Sequence, residues 1–196
     1  TDFRNSIDFI DQEMTGTMDV RVRLEGSMKN PRTLNEMIAL QNLLENNKKV
    51  TISYSIADVV KTMHRVVMDD DPDFESIPQE QNKVNNLFSM YSMSGDPEDF
   101  SSMIDSEYGV GLVTALSRVM STDEIISIVG NIEEHVASLK SIEKGSVTGM
   151  AVVIRDLIYL VVESSVISIV MSIIIIGLIT SIFFKRILWG VMAVIP

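Results

Sequence analysis

Hydrophobic and charged residues alternate strictly in one early stretch of the chain. Every second position there is apolar and the positions between are charged, with the apolar side chains Met18, Val20, Val22 and Leu24. A period of two places alternate side chains on opposite faces of a β-strand. We therefore predict a half-buried strand that ends at Gly26.

A helical pattern and a second strand follow. Asn30-Pro31 precedes the helix, and Thr33 and Glu36 have the spacing of a capping box. Six residues form its apolar face: Leu34, Met37, Ile38, Leu40, Leu43 and Leu44. Asn46 to Lys49 ends the helix, and residues 50–54 predict the next strand. Residues 16–54 thus predict one β-α-β unit.

The same order of elements returns over residues 108–154. A strand is predicted at 108–118, and a return strand at 147–154 after the Lys144-Gly145 turn. Between them Ser121 and Glu124 cap a helix, whose apolar stripe is Ile125, Val129, Ile132, Val136 and Leu139. Two such units predict an α+β fold of repeated β-α-β type, ferredoxin-like, with the helices on one face of the sheet.

The insert between the units, residues 55–105, is predicted to be helical. Apolar residues at helical spacing indicate one helix over 56–68 and a second over 78–92, separated by an acidic turn at 69–73. The second helix carries Val84, Leu87, Phe88 and Tyr91. A turn at Ser94-Gly95-Asp96-Pro97 ends it.

One stretch is apolar on all sides. Residues 164–184 contain no charge, and at about 1.5 Å per residue a helix of this length matches a hydrocarbon core of about 30 Å. From about Asp156 the chain is predicted to become helical and to cross a membrane at 164–184. Residues 16–160 are then the domain that precedes the span.

The charges beside the span predict its orientation. Lys185 and Arg186 follow it directly, whereas all 27 acidic residues precede it, so that residues 1–163 carry 14 basic and 27 acidic side chains. Basic residues favour the cytoplasmic side. We therefore expect residues 1–163 to be extracytoplasmic, in the plasma membrane of the cell.

Both ends of the sequence indicate a piece of a longer, multi-pass protein. An exported domain needs targeting, which a missing upstream span would supply, with residues 1–15 as the lead-in from that span. Residues 185–196 begin with a cytoplasmic turn and contain a second apolar run near Trp189 that is too short to cross.

Composition narrows the chemistry. The chain has no cysteine, which excludes disulfides and thiolates, and its net charge of −11 argues against nucleic acid as a partner. It contains neither a Gly-x-Ser-x-Gly elbow nor a phosphate-binding glycine loop. We expect no enzymatic activity and no cofactor.

Two polar arrangements have ordinary structural explanations. Asp69, Asp71, Asp73 and Glu80 match calcium-loop spacing, but Phe74 stands where that loop needs glycine, and a solvated turn is the simpler interpretation. His64 could pair with one of these aspartates. With only two histidines in the chain, a surface or capping role is favoured, and we predict no metal site.

A cluster of soft, bulky side chains supplies the candidate substrate path. It lies within sixteen residues and comprises Phe88, Met90, Tyr91, Met93, Phe100 and Met103. Methionine and aromatic side chains form adaptable apolar walls that accept varied hydrophobic ligands. Ordinary core packing is the alternative.

The order of these pieces resembles the first porter loop and second transmembrane helix of the resistance-nodulation-division (RND) superfamily, especially its hydrophobe/amphiphile and MMPL-like lipid exporters. The resemblance covers the chain from about residue 16. It rests on residues 55–61, 77–78 and 87–95, on Gly149 in the last predicted strand, and on 183–190 with Pro196.

The resemblance implies an exporter driven by the proton motive force that moves lipids or other amphiphiles. Its implied partners are the bilayer, a hydrophobic or amphiphilic substrate, and the remaining spans and second porter loop, with homo-oligomer formation left open. The family's proton-carrying residues would lie outside this sequence. Two alternatives remain: a secretion-accessory branch of the same superfamily, and a membrane-anchored ectodomain that binds a partner.

Overall fold

The computed structural model describes residues 6, 9–11, 14–94, 100–185, 187–188 and 192. Within them the chain forms four strands, five helices and one 3-10 turn. In chain order these are β1 (Met18–Glu25), α1 (Pro31–Glu45), β2 (Val50–Tyr54), α2 (Ile56–Val67), the 3-10 turn Pro72–Phe74, α3 (Gln81–Ser94), β3 (Val110–Ser117), α4 (Thr122–Ser138), β4 (Lys144–Thr148) and α5 (Met150–Phe184).

The four strands form one antiparallel sheet in the order β2-β3-β1-β4. Strand β1 pairs with both β3 and β4, and β2 pairs with β3. Because each pairing is antiparallel, β1 and β2 run parallel to each other on either side of β3, and β3 and β4 do so on either side of β1. The predicted α+β class is confirmed.

One face of the sheet is buried, as the alternation in β1 predicts. Val20, Val22 and Leu24 have no exposed surface, whereas Arg21 and Arg23 between them are exposed. Across the β1–β3 ladder, Val22 lies opposite Val113. The opposite face carries charged side chains, among them the ion pair of Arg23 with Glu25, so that only one face contributes to the core.

Helices α1 and α4 cover the buried face. Register places Gly111 of β3 and Gly145 of β4 opposite Leu24. A Cβ atom at Gly111 would lie 3.1 Å from the Cε atom of Met37 in α1, and one at Gly145 would lie 2.1 Å from a methyl group of Val136 in α4. Both helices therefore pack against the side of the sheet that bears Leu24.

The predicted start of α4 is confirmed. Ser121 and Glu124 form a complete capping box, and the predicted stripe is buried from Ile125 to Val136. Leu139, the last predicted member, is half-buried at the C-cap. The favourable cap and the apolar stripe agree, which explains why the local sequence was sufficient here.

The predicted capping box of α1 is wrong. Asn30 is the N-cap and accepts a hydrogen bond from the amide of Arg32, with Pro31 at the first helical position. Glu36 instead accepts hydrogen bonds from the backbone amides of Lys140 and Ser141, in the loop between α4 and β4. A tertiary contact has taken the carboxylate that a local cap would use.

The predicted return strand at 147–154 is wrong beyond its first two residues. Strand β4 starts earlier, at Lys144, and ends at Thr148, and Gly149 has a positive φ of 102°. Helix α5 begins at Met150, whose amide donates to the carboxylate of Asp19 at 3.0 Å. A Cβ atom at Gly149 would lie 2.7 Å from the carbonyl oxygen of Asp19, so the turn needs glycine on two counts.

The insert contains the two predicted helices. Helix α2 starts with a capping box of Ser55 and Asp58, and the acidic turn after it contains the 3-10 turn Pro72–Phe74. Helix α3 starts at Gln81, three residues later than predicted. The predicted turn at 94–97 lies outside the described residues, apart from the backbone of Ser94.

The chain divides into two compact units after Val153. The second unit contains most of α5, a helix of 35 residues that is long and apolar enough to cross a membrane. None of its most apolar window is buried, unlike the core helix of a soluble protein. The predicted cytoplasmic turn, Trp189 and most of the predicted lead-in lie outside the described residues.

Candidate functional site

The aromatic half of the candidate path is built on one face of α3. Phe88 is 6% exposed, and its ring meets the edge of the Tyr108 ring at a centroid distance of 5.2 Å. One turn later, Tyr91 stacks on Phe100 at 4.0 Å. Residues three apart share a helix face, so Phe88 and Tyr91 present their rings to the same side.

A short loop after α3 supplies Tyr108. The carboxylate of Asp105 accepts hydrogen bonds from the amides of Gly109 and Val110, each at 2.8 Å. Tyr108 itself has a φ of 59°, in the left-handed region that bulky side chains rarely adopt. The Asp105 hydrogen bonds close the loop and hold the strained residue, so that its ring lies beside Phe88.

A lysine lies over this pair of rings. The ammonium nitrogen of Lys29 is 3.7 Å from the centroid of Tyr108 and 5.9 Å from that of Phe88. The backbone carbonyl of Lys29 accepts a hydrogen bond from the side chain of Gln81 at 2.6 Å. The start of α3 is thereby tied to the segment between β1 and α1, which fixes the position of the cation over the rings.

These rings surround a pocket of about 360 Å³, here called the aromatic pocket. Its volume lies within the range of about 300–1,000 Å³ that is usual for small-molecule sites. The wall combines aromatic faces, serine hydroxyls and a single carboxylate: Phe88, Tyr91, Ser92, Phe100, Ser101, Ile104, Asp105, Ser106 and Tyr108.

The methionines of the predicted path lie elsewhere. Met90 is 47% exposed and lines two other cavities beside α2 and α3, of about 460 and 710 Å³. Met93 is 89% exposed, and Met103 is half-buried. The six predicted residues therefore do not form one surface, because the aromatic pocket contains only Phe88, Tyr91 and Phe100.

The two cavities beside Met90 form what we call the insert cleft. Apolar side chains of α2 line its smaller part, among them Val59, Met63 and Val66. Its larger part has a polar rim that includes His64, Asp73 and Lys83. Val66 is 58% exposed, so this apolar surface is open at the surface of the protein.

His64 and the acidic turn have structural partners. The Nδ1 atom of His64 donates to the carbonyl oxygen of Ser76 at 2.9 Å, and its ring meets the edge of Phe74. The hydrogen bonds that Arg65 makes, chiefly with Glu75 and also with Asp70, raise the pKa of its guanidinium. Among the described residues, no group of three or more acidic or histidine side chains could hold a metal ion.

Three residues of the aromatic pocket and its surroundings were not predicted. They are Lys29, Asp105 and Tyr108, and they reach Phe88 only through the fold. A signal was available for the loop, because Asp105 precedes a Tyr-Gly pair that opens a predicted strand, and aspartate before glycine is typical of turns.

Comparison with known proteins gave no similar protein: no family model, no curated protein and no solved structure matches this chain.

Proposed function

We propose that this chain is part of an integral-membrane exporter of the RND superfamily, one that moves lipids or other hydrophobic or amphiphilic compounds and uses the proton motive force. In this proposal residues 16–160 handle the substrate outside the cytoplasm and α5 contains the second transmembrane helix. One observation carries it: an acidic α+β domain continues directly into a long apolar helix that two basic residues follow.

The sheet supports a ferredoxin-like interpretation of the domain. In a split β-α-β pair, each helix connects two parallel strands that are separated by a strand of the other unit. The order β2-β3-β1-β4, with α1 between β1 and β2 and α4 between β3 and β4, has this arrangement. Helices α1 and α4 also contact each other on the Leu24 side of the sheet, and residues 55–105 form an insertion between the two halves.

The cavities of the domain support hydrophobic substrates. The aromatic pocket has walls made mainly of rings, and the insert cleft has apolar walls with a polar rim. Walls of this kind contribute to binding through buried area, at about 25 cal/mol per Å², and accept ligands of varied shape. Carboxylates that carry protons would lie in other spans of the whole protein, so this chain supplies binding surfaces and not the energy coupling.

Cysteine labelling tests the proposed orientation. The chain has no cysteine of its own, so Ser146→Cys and Ile187→Cys each introduce one reactive thiol on opposite sides of the apolar stretch. In intact cells, a membrane-impermeant maleimide should label the cysteine at 146 and leave the one at 187 unlabelled until the membrane is permeabilised. The reverse pattern would overturn the proposal.

Transport by the whole protein tests the activity. Cells that express it should accumulate less of a fluorescent amphiphile than cells without it, and a protonophore should abolish the difference. Retention of secreted polypeptide, with no effect on the amphiphile, would favour the secretion-accessory alternative. Normal accumulation of both would favour an anchored ectodomain without transport.

A further inference from the structure

The aromatic pocket combines ring faces with one negative charge. Four rings belong to its wall, those of Phe88, Tyr91, Phe100 and Tyr108, and Asp105 is the one acidic residue among the lining side chains. The faces of aromatic rings carry negative electrostatic potential and attract cations within about 6 Å. A cavity with these walls favours a cation that has a large apolar surface.

Lys29 shows that two of these rings already accept a cation. Its ammonium lies over both Tyr108 and Phe88, although Lys29 is not one of the lining residues of the pocket. The lysine therefore contacts the ring pair from outside the cavity wall. Its positive charge would repel a second cation and attract an anion, which gives a test of the sign of the ligand's charge.

The loop that carries Tyr108 is strained in a way that serves the pocket. A non-glycine residue at a φ of 59° persists only where its surroundings hold it. The holding contacts are the two amide hydrogen bonds to Asp105. The same carboxylate thus closes the loop that carries one ring and places negative charge in the pocket wall.

We infer that the aromatic pocket binds a quaternary ammonium group. Such a cation has no N–H donors to satisfy, and its methyl groups can contact several ring faces at once, whereas a primary ammonium would lose water hydrogen bonds that ring faces replace poorly. The inference rests on the proposed function for the role of this pocket in handling an amphiphile, because it names the head group that the pocket takes. Binding itself can be measured without transport.

The test uses the 196-residue chain in maltoside micelles, a detergent without ammonium groups. Choline is titrated against its neutral isostere 3,3-dimethyl-1-butanol, and binding is followed by calorimetry and by NMR of labelled tyrosine rings. We expect choline to bind at least tenfold more tightly, with shifts at Tyr91 and Tyr108 and none at Tyr54 and Tyr159. Equal affinity for the two probes, or shifts at all four tyrosines alike, would overturn the inference.

Substitutions locate the site and test the sign of the charge. Tyr91→Leu and Phe100→Leu keep apolar volume but remove a ring face, and each should weaken choline binding about five- to fiftyfold. Lys29→Gln should tighten it severalfold by removing a like charge. Met93→Leu, at a highly exposed position of the same helix, is the matched control and should change nothing. Weaker binding in Lys29→Gln would indicate an anionic ligand and overturn the inference.

Two further arms identify the source of the ammonium group and separate this inference from the proposed function. Tighter binding of hexyltrimethylammonium than of choline would support an amphiphile as the ligand, and equal binding would support a small soluble compound; both outcomes retain ammonium recognition. Choline binding by this chain without export by the whole protein would refute the proposed function alone. Export of neutral amphiphiles by a protein whose aromatic pocket ignores choline would refute this inference alone.

Discussion

Helices α2 and α4 begin in the same way and end in different surroundings. Each starts with a serine and an acidic residue in a capping box, and each carries an apolar stripe. The stripe of α4 is buried as far as Val136, but burial in α2 stops at Val60, and Val66 is 58% exposed. An amphipathic pattern thus marks a face that can be buried, and the fold decides whether a partner covers it.

The difference divides the domain by role. The sheet with α1 and α4 buries the side chains that determine stability, whereas α2 and α3 leave apolar surface open around the insert cleft. Substitutions of the same kind should therefore have different effects in the two regions. Four predictions, from the largest expected effect to the smallest, test this division.

The same apolar-to-acidic substitution should separate the two helices most clearly. Val129 has no exposed surface, so Val129→Asp buries an unpaired charge and should lower the free energy of unfolding by about 4 kcal/mol. Val66→Asp places its charge in water and should change stability by less than about 0.5 kcal/mol. Urea unfolding in maltoside micelles, followed by circular dichroism, measures both.

Glu133→Ala is the control for α4 itself, since Glu133 is exposed and lies off the stripe. It should leave the urea midpoint unchanged. Similar losses in Val129→Asp and Val66→Asp would mean that the insert is packed as tightly as the sheet layer, and the division would fail.

Within α3, two neighbouring residues of the predicted path should behave differently. Phe88→Ala removes a side chain that is 6% exposed and should lower stability by about 3 kcal/mol, so that protein level and transport of all substrates fall together. Met90→Ala opens no core cavity and should leave protein level normal. Transport by the whole protein, normalised to folded protein in the membrane, should then change for some substrates and not for others.

A normal level of the Phe88→Ala protein would show that Phe88 is not a core residue. Unchanged normalised transport of every substrate in Met90→Ala would remove the insert cleft from the substrate path.

The two capping serines should differ by a smaller amount. Ser121→Ala removes an exposed cap and should cost about 1 kcal/mol. Ser55 is 1% exposed, and its hydroxyl also donates to the side-chain carbonyl of Gln41 at 2.7 Å. Ser55→Ala leaves that buried acceptor unpaired and should cost about 2 kcal/mol. Urea midpoints of the two variants check the order, and the reverse order would contradict it.

The smallest expected effect is a pH dependence at the cap of α4. The backbone amide and hydroxyl of Ser121 donate to the Glu124 carboxylate, at 2.7 and 2.9 Å, and lower the pKa of that carboxyl below its ordinary value of 4.5. A lowered pKa in the folded state contributes stability that is present above pH 4.5 and is lost as the pH falls through the folded-state pKa.

The urea midpoints of the native chain and of Glu124→Gln should therefore differ at neutral pH and converge below pH 4.5. A constant difference between the two proteins across this range would contradict the assignment.

The elements of the sheet layer could be predicted because local and tertiary signals agree there. Alternation in β1 and the stripe of α4 each correspond to one buried face. The errors arose where a distant residue decided the outcome. Glu36 has a capping position in the sequence, but the loop at Lys140 and Ser141 takes its carboxylate. Residues 150–154 are apolar, a pattern that cannot distinguish a strand from a buried helix segment.

The candidate site could be predicted only in part for a geometric reason. A helix turns about 100° per residue, so Phe88 and Tyr91 share one face of α3 while Met90 and Met93 share another. Proximity along the chain therefore grouped two surfaces as one. Tyr108 joined the rings through a left-handed backbone conformation, which no periodicity reveals.

The position of β1 in the sheet has a consequence for biosynthesis. Its partners β3 and β4 come late in the chain, with Met18 opposite Ser117 and Glu25 opposite Lys144. At a synthesis rate of about 5–20 residues per second, the strand emerges several seconds before either partner exists. Its apolar side chains and both hydrogen-bonding edges are exposed during that interval. The nascent domain is therefore a natural client for chaperones until β4, directly ahead of the apolar helix, has been translated.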